Sequence, residues 1–235
     1  VGDISESLDR VMALARPHED CNPLRQLREA LIAEMNQHKD DTSHPMKPQK
    51  IIWDLRTVLD LRDIAICDVG AHKMWMARMF RCEYPNTCLI SNGFASMGIA
   101  LPGAIAAKLV APERTICAVT GDGGFLMNVQ ELETAVRLGL ALIVLVWNDG
   151  GYGLIEWKQM NQFGRPAFVR FGNPDIVALA ESFGARGYRV NPGDDLQAIL
   201  RQAIADETVV VIDCPVDYSE NLRLTERLGE VLPKM

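Results

Sequence analysis

Several features that mark common protein classes are missing from this chain of 235 residues. It has no run of Lys and Arg, and its net charge of −7 disfavours a surface for nucleic acids. No apolar run approaches the roughly 18 residues of a membrane-spanning helix. Its six cysteines form no Cys-x-x-Cys pair, which argues against a zinc ribbon. We therefore expect a globular protein without a nucleic-acid or membrane partner.

The start of the chain also lacks an initiator methionine and a signal-peptide pattern. This predicts a cytoplasmic protein, and the first residues, Val-Gly-Asp-Ile, indicate a piece of a longer polypeptide. Four cysteines lie in short apolar runs, where buried and reduced thiols are expected: Cys67, Cys88, Cys117 and Cys214.

Short apolar runs alternate with helical segments over most of the chain. The runs, with the turns that end them, occur at 64–70, 88–91, 115–124, 141–151, 185–190 and 208–215. A helix is predicted over 126–138, and the unbroken apolar run from Ala141 to Trp147 favours a central strand. The alternation predicts an α/β fold with a doubly wound, mainly parallel six-stranded sheet and helices on both faces.

The same pattern gives the domain organisation. A helix and a polar, proline-bearing linker are predicted over 17–50. The alternating segments place the main binding domain at 51–215, and the weakly periodic residues 216–235 are expected to form a tail.

Polar, glycine-rich turns follow four of the predicted strands, at 68–72, 91–98, 121–124 and 148–151. Because parallel strands end at the same edge of a sheet, these turns are expected to meet. Glycines let backbone N–H groups approach a ligand closely, and helix N-termini favour anions. The turns therefore predict a phosphate or diphosphate site.

The last two of these turns also predict a metal ion. They contain no Lys or Arg, so a diphosphate held there needs another cation. Asp122 and Asn148 offer the oxygen ligands that Mg²⁺ prefers, and a backbone carbonyl can add a third. Other phosphate motifs fit less well, since Leu126 stands at the sixth position of Gly-x-Gly-x-x-Gly and no Gly-Lys-Ser/Thr ending follows. Gly-Asp-Gly-Gly alone could be no more than a strand-to-helix turn. The second polar cluster, 148–151, follows it by one helix and one strand, so the two turns are expected to be neighbours on the same edge and their oxygen ligands can meet.

The block from 121 to 151 resembles the thiamine diphosphate enzymes, in which Gly-Asp-Gly is followed by about two dozen residues and then Asn. Within that superfamily the chain is similar to the C-terminal cofactor domain of acetolactate synthase, also called acetohydroxyacid synthase. The similar segments are DVGAHKMWMARMF, ISNGFASMGIALPGAIAAKL, GDGGFLMNVQELETAVRLGL, WNDGGYG, AESFGA and VDYSENL. They lie within residues 64–222, and residues 1–16 resemble the end of that family's middle domain.

This resemblance implies a site for thiamine diphosphate and Mg²⁺. It implies that the side-chain oxygens of Asp122 and Asn148 and the carbonyl of Gly150 bind the metal. The other implied cofactor-binding residues are Gly70, Ala71, His72, Gly121, Gly123, Gly124, Gly151 and Tyr152. The family usually has Gln at the position of Ala71, so one side-chain contact is expected to be missing here.

Two residues of the 91–98 turn are implied in catalysis. Met97 matches the apolar residue that holds the cofactor in a bent conformation, and the carbonyl of Ala95 matches the group that accepts a hydrogen bond from its amino group. Leu154 and Ile155 match positions of the substrate pocket. Lys158 stands where the biosynthetic enzymes place a Trp that selects 2-ketobutyrate, which favours a pyruvate-selective, catabolic-type enzyme.

The implied reaction condenses two pyruvate molecules, with loss of CO₂, to 2-acetolactate, and other 2-keto acids are possible substrates. The implied partners are the N-terminal pyrimidine-binding domain of a full-length chain and further subunits in a homodimer or homotetramer. FAD binding stays open because its site would lie in a region outside this sequence. Two other interpretations also stay open: another thiamine diphosphate-dependent 2-keto acid decarboxylase or oxidase, and a non-catalytic assembly module with the same fold.

Overall fold

The structure, a computed structural model, describes residues 2–16, 22–221 and 224. The chain forms two compact units, Val1–Gln37 and His38–Met235. The first unit contains helices α1 (Ile4–Leu14) and α2 (Asn22–Met35). Helix α1 begins after Asp3 because the carboxylate of this residue accepts a hydrogen bond from the Glu6 N–H at 3.0 Å.

The second unit alternates strands and helices. Its strands are β1 (Ile64–Cys67), β2 (Cys88–Ile90), β3 (Ile116–Gly121), β4 (Leu142–Asn148), β5 (Arg186–Arg189) and β6 (Val209–Pro215). Its helices are α3 (Pro48–Val58), α4 (Ala71–Met79), α5 (Ala100–Val110), α6 (Asp122–Met127), α7 (Glu131–Arg137), α8 (Gly153–Phe163), α9 (Ile176–Ser182) and α10 (Leu196–Ala205). Within the described part of the chain, no helix has the length and apolar character needed to cross a bilayer.

The strands of the described residues form one six-stranded sheet in the order β2-β1-β3-β4-β6-β5. Every neighbouring pair is parallel, which confirms the predicted parallel sheet. As its apolar run predicted, β4 lies in the interior of the sheet, between β3 and β6.

Helices cover both faces of this sheet. Because side chains alternate along a strand, Val144 and Val146 pack into a core shared with α5, α7 and α9. Leu145 and Trp147 are buried on the opposite face, where α3, α4 and α10 pack together and against the sheet. The fold is therefore the predicted doubly wound α/β type.

The single helix predicted over 126–138 is wrong, because α6 already begins at Asp122 and α7 begins only at Glu131. Asn128 ends α6, since its backbone leaves the helical region at φ −132° and ψ 25°. Its side-chain Nδ2 donates to the Gly98 carbonyl at 2.8 Å, a local contact that competes with helix continuation. The residue that ends α6 is thus hydrogen-bonded to the turn that follows β2.

The strand order also locates the ligand edge of the sheet. The chain passes from one side of β1 to the other between β2 and β3, so β1 and β3 flank the point where the winding direction changes. Doubly wound folds bind ligands beside the carboxyl ends of the strands at such a point.

The cysteines pack as small apolar residues. Cys67, Cys117 and Cys214 are buried free thiols in β1, β3 and β6, and Cys88 is partly buried in β2. Burial raises the pKa of all four thiols, which makes them poor nucleophiles at neutral pH.

Candidate functional site

A cavity of about 220 Å³ lies at the carboxyl edge of the sheet, beside the turns that follow β1, β3 and β4. The predicted cofactor-binding residues that line it are Gly70, Ala71, His72, Ala95, Met97, Gly121, Asp122, Gly123, Gly124, Gly151 and Tyr152. The predicted pocket residues Leu154 and Ile155 also line it, whereas Asn148, Gly150 and Lys158 do not. Most of the predicted site is thus gathered around one cavity.

The side-chain oxygens of Asp122 and Asn148 face a single nitrogen atom. Asn173 Nδ2 lies 2.7 Å from Asp122 Oδ2 and 2.8 Å from Asn148 Oδ1. Asp122 is buried, and its Oδ2 also accepts a hydrogen bond from the Gly150 N–H at 2.8 Å. The two predicted metal ligands therefore point at one position, as a shared cation requires.

A series of polar contacts fixes the orientation of Asn148. Its Nδ2 donates to Asp213 Oδ1 at 2.9 Å, which leaves Oδ1 facing Asn173. Asp213 is buried, and its other oxygen accepts a hydrogen bond from Arg189 Nε at 3.0 Å. Arg189 also donates to Asp175 Oδ1 at 2.8 Å. Asn148 therefore presents an oxygen to the site because Asp213 binds its NH₂ group.

Glycine is required at two positions of the turn after β4. Gly150 has φ +68°, a left-handed conformation that glycine adopts without strain. A β-carbon at Gly151 would lie only 2.8 Å from the Val169 carbonyl oxygen. The Gly150 carbonyl accepts a hydrogen bond from the Phe171 N–H at 3.2 Å, and its role as a metal ligand stays a prediction.

His72 places an unpartnered nitrogen beside the cavity. The residue is buried, and its Nε2 has no hydrogen-bond partner within the described residues. Burial lowers the pKa of His72 to about 4, although the charge of Asp68 opposes the shift. The neutral ring can therefore direct an N–H toward a phosphate oxygen in the cavity.

Asp68 links the turn after β1 to the turn after β2. Its buried carboxylate accepts hydrogen bonds from the Gly98 N–H at 2.9 Å and the Ala100 N–H at 3.2 Å. These contacts fix the backbone next to Met97, which lines the cavity. Ala95 has φ 51°, a left-handed conformation that is strained for a residue with a β-carbon. Such strain is common at functional sites.

The charges of the cavity favour a metal ion. None of the described residues that line it is Lys or Arg, whereas Asp122 and Asp149 contribute carboxylates. Burial raises the pKa of Asp149 to about 7, and the Asp122 charge adds to the shift. The Asp149 carboxylate lies 3.6 Å from Arg170 Nη1, whereas the described residues that line the cavity offer Asp122 no Lys or Arg, so a hard cation beside Asp122 fits the donor set.

The far side of the cavity is formed by the start of α8 and by residues that follow β6. Leu154 and Ile155 lie in the first turn of α8, whereas Lys158 is exposed further along that helix. Tyr218 lines the cavity and stacks on Trp147, with their ring centroids 6.3 Å apart.

A family profile described as "Thiamine pyrophosphate enzyme, C-terminal TPP binding domain" matches residues 68–214. The chain belongs to this family. The matched range includes the turns after β1, β2, β3 and β4, and the match confirms thiamine diphosphate as the predicted cofactor.

Individual relatives of this TPP-binding domain are acetolactate synthases. The acetolactate synthase of Bacillus subtilis (strain 168) is 46% identical over 196 residues, which are 83% of this chain and 33% of that protein. The catabolic acetolactate synthase of Raoultella terrigena is 33% identical over 239 residues, which are 97% of this chain and 42% of that protein. The chain thus spans between a third and about two fifths of the length of these relatives.

A solved structure shares the fold of the TPP-binding domain. The Rhodococcus jostii RHA1 thiamine diphosphate-dependent 4-hydroxybenzoylformate decarboxylase matches with a TM-score of 0.69 at 20% identity. The match covers 74% of this chain and 33% of that one.

Sequence reasoning gave no individual role to several residues that line the cavity of this TPP-binding domain or contact its predicted ligands, among them Asp149, Asn173, Asp213 and Tyr218. Asp213 has a usable signal, because an acid inside the apolar run Val-Val-Val-Ile-Asp-Cys must find a buried partner. Asn173 has no comparable signal, since it lies in the connection between α8 and α9 without a periodic pattern.

Proposed function

We propose that this chain is the thiamine diphosphate- and Mg²⁺-binding domain of a cytoplasmic acetolactate synthase of the catabolic type. The observation that carries this proposal is the convergence of Asp122 Oδ2 and Asn148 Oδ1 on one position beside a glycine-lined cavity. The similarity to acetolactate synthases, one of them catabolic, supports the choice of reaction.

In this proposal Mg²⁺ is bound by the side-chain oxygens of Asp122 and Asn148 and by the carbonyl of Gly150. The metal neutralises a diphosphate in a cavity whose described lining contains no Lys or Arg. His72 contributes its unpartnered Nε2 to the diphosphate. Tyr152 closes the cavity, and the backbone contacts come from Gly70, Ala71, Gly121, Gly123, Gly124 and Gly151.

Thiamine diphosphate supplies a carbanion nucleophile for 2-keto acids, and it accepts the electrons released when CO₂ leaves. In this proposal Met97 supports the cofactor from one side of the cavity. The carbonyl of Ala95 accepts a hydrogen bond from the amino group of the cofactor. Leu154 and Ile155 exclude water from the apolar end of the substrate. Lys158, in place of a Trp, favours pyruvate over 2-ketobutyrate.

The remaining parts of the activity belong to a longer protein in this proposal. Residues 1–16 end its middle domain, 17–50 form a helix and linker, 51–215 bind the cofactor and 216–235 form a tail. The longer protein supplies an N-terminal pyrimidine-binding domain, forms a homodimer or homotetramer, and binds any FAD through its middle region. The isolated chain is therefore expected to bind metal and diphosphate weakly and to produce no acetolactate; detection of that product would refute this expectation.

Product analysis of the full-length protein that carries this chain tests the reaction. With pyruvate, thiamine diphosphate and Mg²⁺, we expect 2-acetolactate as the product. Acetaldehyde or acetate without acetolactate would indicate a decarboxylase or an oxidase. Failure to bind thiamine diphosphate in a calorimetric titration with Mg²⁺ would indicate an assembly module.

Substitution of a ligand tests the metal site directly. We expect Asp122→Asn to weaken Mg²⁺-dependent binding of thiamine diphosphate at least about 100-fold, because it removes a charged ligand. Asp195→Asn is the matched control, since Asp195 caps α10 and Asn caps helices equally well. Equal cofactor affinity of the two variants would contradict the assigned metal site.

A further inference from the structure

Asn173 is held beside the proposed metal ligands by the chain on both sides of it. Before it, the Phe171 N–H donates to the Gly150 carbonyl at 3.2 Å, and the Phe171 and Tyr152 ring centroids lie 4.9 Å apart. After it, the Asp175 carboxylate caps the first turn of α9. The side chain of Asn173 therefore enters the site from a backbone that is anchored at both ends.

The amide nitrogen of Asn173 lies where two acceptors need a positive group. It is 2.7 Å from Asp122 Oδ2 and 2.8 Å from Asn148 Oδ1. Asn148 already donates its NH₂ group to Asp213, so only its oxygen is available on this side. Without a cation, the nitrogen side of the Asn173 amide makes attractive contacts here, whereas the oxygen side would bring three oxygen atoms together.

The other half of the same amide has no partner. Asn173 Oδ1 is buried and accepts no hydrogen bond from the described residues. Buried polar atoms without partners are uncommon in folded proteins, so this oxygen points to a partner that binds later. The torsion about the Cβ–Cγ bond of Asn is broad and roughly two-fold, so a turn of the amide exchanges nitrogen and oxygen with little change of shape.

We propose that Asn173 is a third side-chain ligand of the metal ion and that its amide turns over when the ion binds; this rests on the proposed function. A cation between Asp122 and Asn148 repels the NH₂ group and attracts the amide oxygen. Carboxamide oxygens are suitable ligands for hard cations. The Asn173 amide nitrogen thus holds Asp122 and Asn148 together before the ion binds, and the Asn173 amide oxygen completes the coordination of the ion afterwards.

Binding of Mn²⁺ tests this role without any turnover. Mn²⁺ favours the same oxygen ligands as Mg²⁺, and water proton relaxation measures its affinity. In the full-length protein, with and without thiamine diphosphate, we expect Asn173→Ala to weaken Mn²⁺ binding about 10- to 100-fold. Asn173→Asp keeps an oxygen and adds a charge, so we expect binding at least as tight as in the unaltered protein.

Asn191→Ala is the matched control, because the Asn191 amide contacts Asp194 in an exposed turn. Its Mn²⁺ affinity is expected to be unchanged. Unchanged or tighter Mn²⁺ binding by a folded Asn173→Ala variant would overturn the proposal. The Asn173 amide would then only separate Asp122 from Asn148 or occupy the position of the ion, without binding the ion itself. If circular dichroism shows that this variant is unfolded, Asn173→Asp decides, and binding weaker than that of the unaltered protein overturns the proposal.

The Asp122→Asn variant separates this proposal from the function on which it rests. Loss of Mn²⁺ binding in Asp122→Asn together with unchanged binding in Asn173→Ala overturns only the role of Asn173. Unchanged binding in Asp122→Asn overturns the metal site itself.

Discussion

His72 is uncharged at neutral pH because it is buried, and this couples its titration to the stability of the fold. Its pKa is lowered from 6.5 to about 4, so the unfolded chain binds this proton more tightly than the folded chain. The contribution of a neutral His72 to stability is therefore complete above pH 6.5 and is lost as the pH falls towards 4.

We expect this loss to disappear when the imidazole is removed. Between pH 7 and pH 4.5, the free energy of unfolding should fall by about 2–3 kcal/mol more in the unaltered protein than in His72→Gln. Urea unfolding at the two pH values measures the difference. Equal pH dependence in the two proteins would show that His72 is not held neutral by burial.

At the scale of the element, two short segments pair across the site. Residues 150–152 and 169–171 run antiparallel, with the Tyr152 N–H donating to the Val169 carbonyl at 2.9 Å. A β-carbon on Gly151 would meet that carbonyl oxygen, whereas the position of Gly172 has no heavy atom within 4 Å. The segment that leads to Asn173 can therefore lie this close to residues 150–152 only because residue 151 is Gly.

This pairing can be tested with two alanine substitutions. We expect Gly151→Ala to destabilise the protein by about 1–3 kcal/mol, because backbone atoms must move apart to accept the methyl group. Gly172→Ala, at the residue directly after the paired segment 169–171, should change the free energy of unfolding by no more than about 0.5 kcal/mol, because its β-carbon would meet no heavy atom within 4 Å. Urea unfolding of both variants measures these changes. Similar losses of stability in the two variants would show that the close contact between residue 151 and the Val169 carbonyl does not cause the destabilisation.

At the scale of the whole molecule, residues 38–235 contain the complete sheet and the cavity. Among the described residues of the other unit, neither α1 nor α2 contains a buried side chain. We therefore expect a chain that begins at residue 38 to unfold cooperatively, with a Tm within about 2 °C of that of the 235-residue chain. Thermal unfolding followed by circular dichroism checks this, and a broad, non-cooperative transition would show that the first unit is needed for the fold.

Much of the fold and the centre of the site follow from local patterns in the sequence. The run Ala141–Trp147 predicted an interior strand because only a strand packed on both faces is apolar at every position. The spacing of Asp122 and Asn148 predicted their meeting, since the helical segment and the strand between them return the chain to the same edge. The break at Asn128 and the position of Asn173 could not be predicted in this way, because both depend on contacts with residues distant in sequence.

The orientation of Asn148 also sets an order of events for a growing chain. Asp213 follows Asn148 by 65 residues and lies on β6, which inserts between β4 and the earlier-made β5. A ribosome thus releases both Asp122 and Asn148 before Asp213, the residue whose hydrogen bond orients the Asn148 amide. The proposed metal site would therefore be complete only after β6 has taken its place between β4 and β5, so we expect the ion to bind after the sheet has assembled.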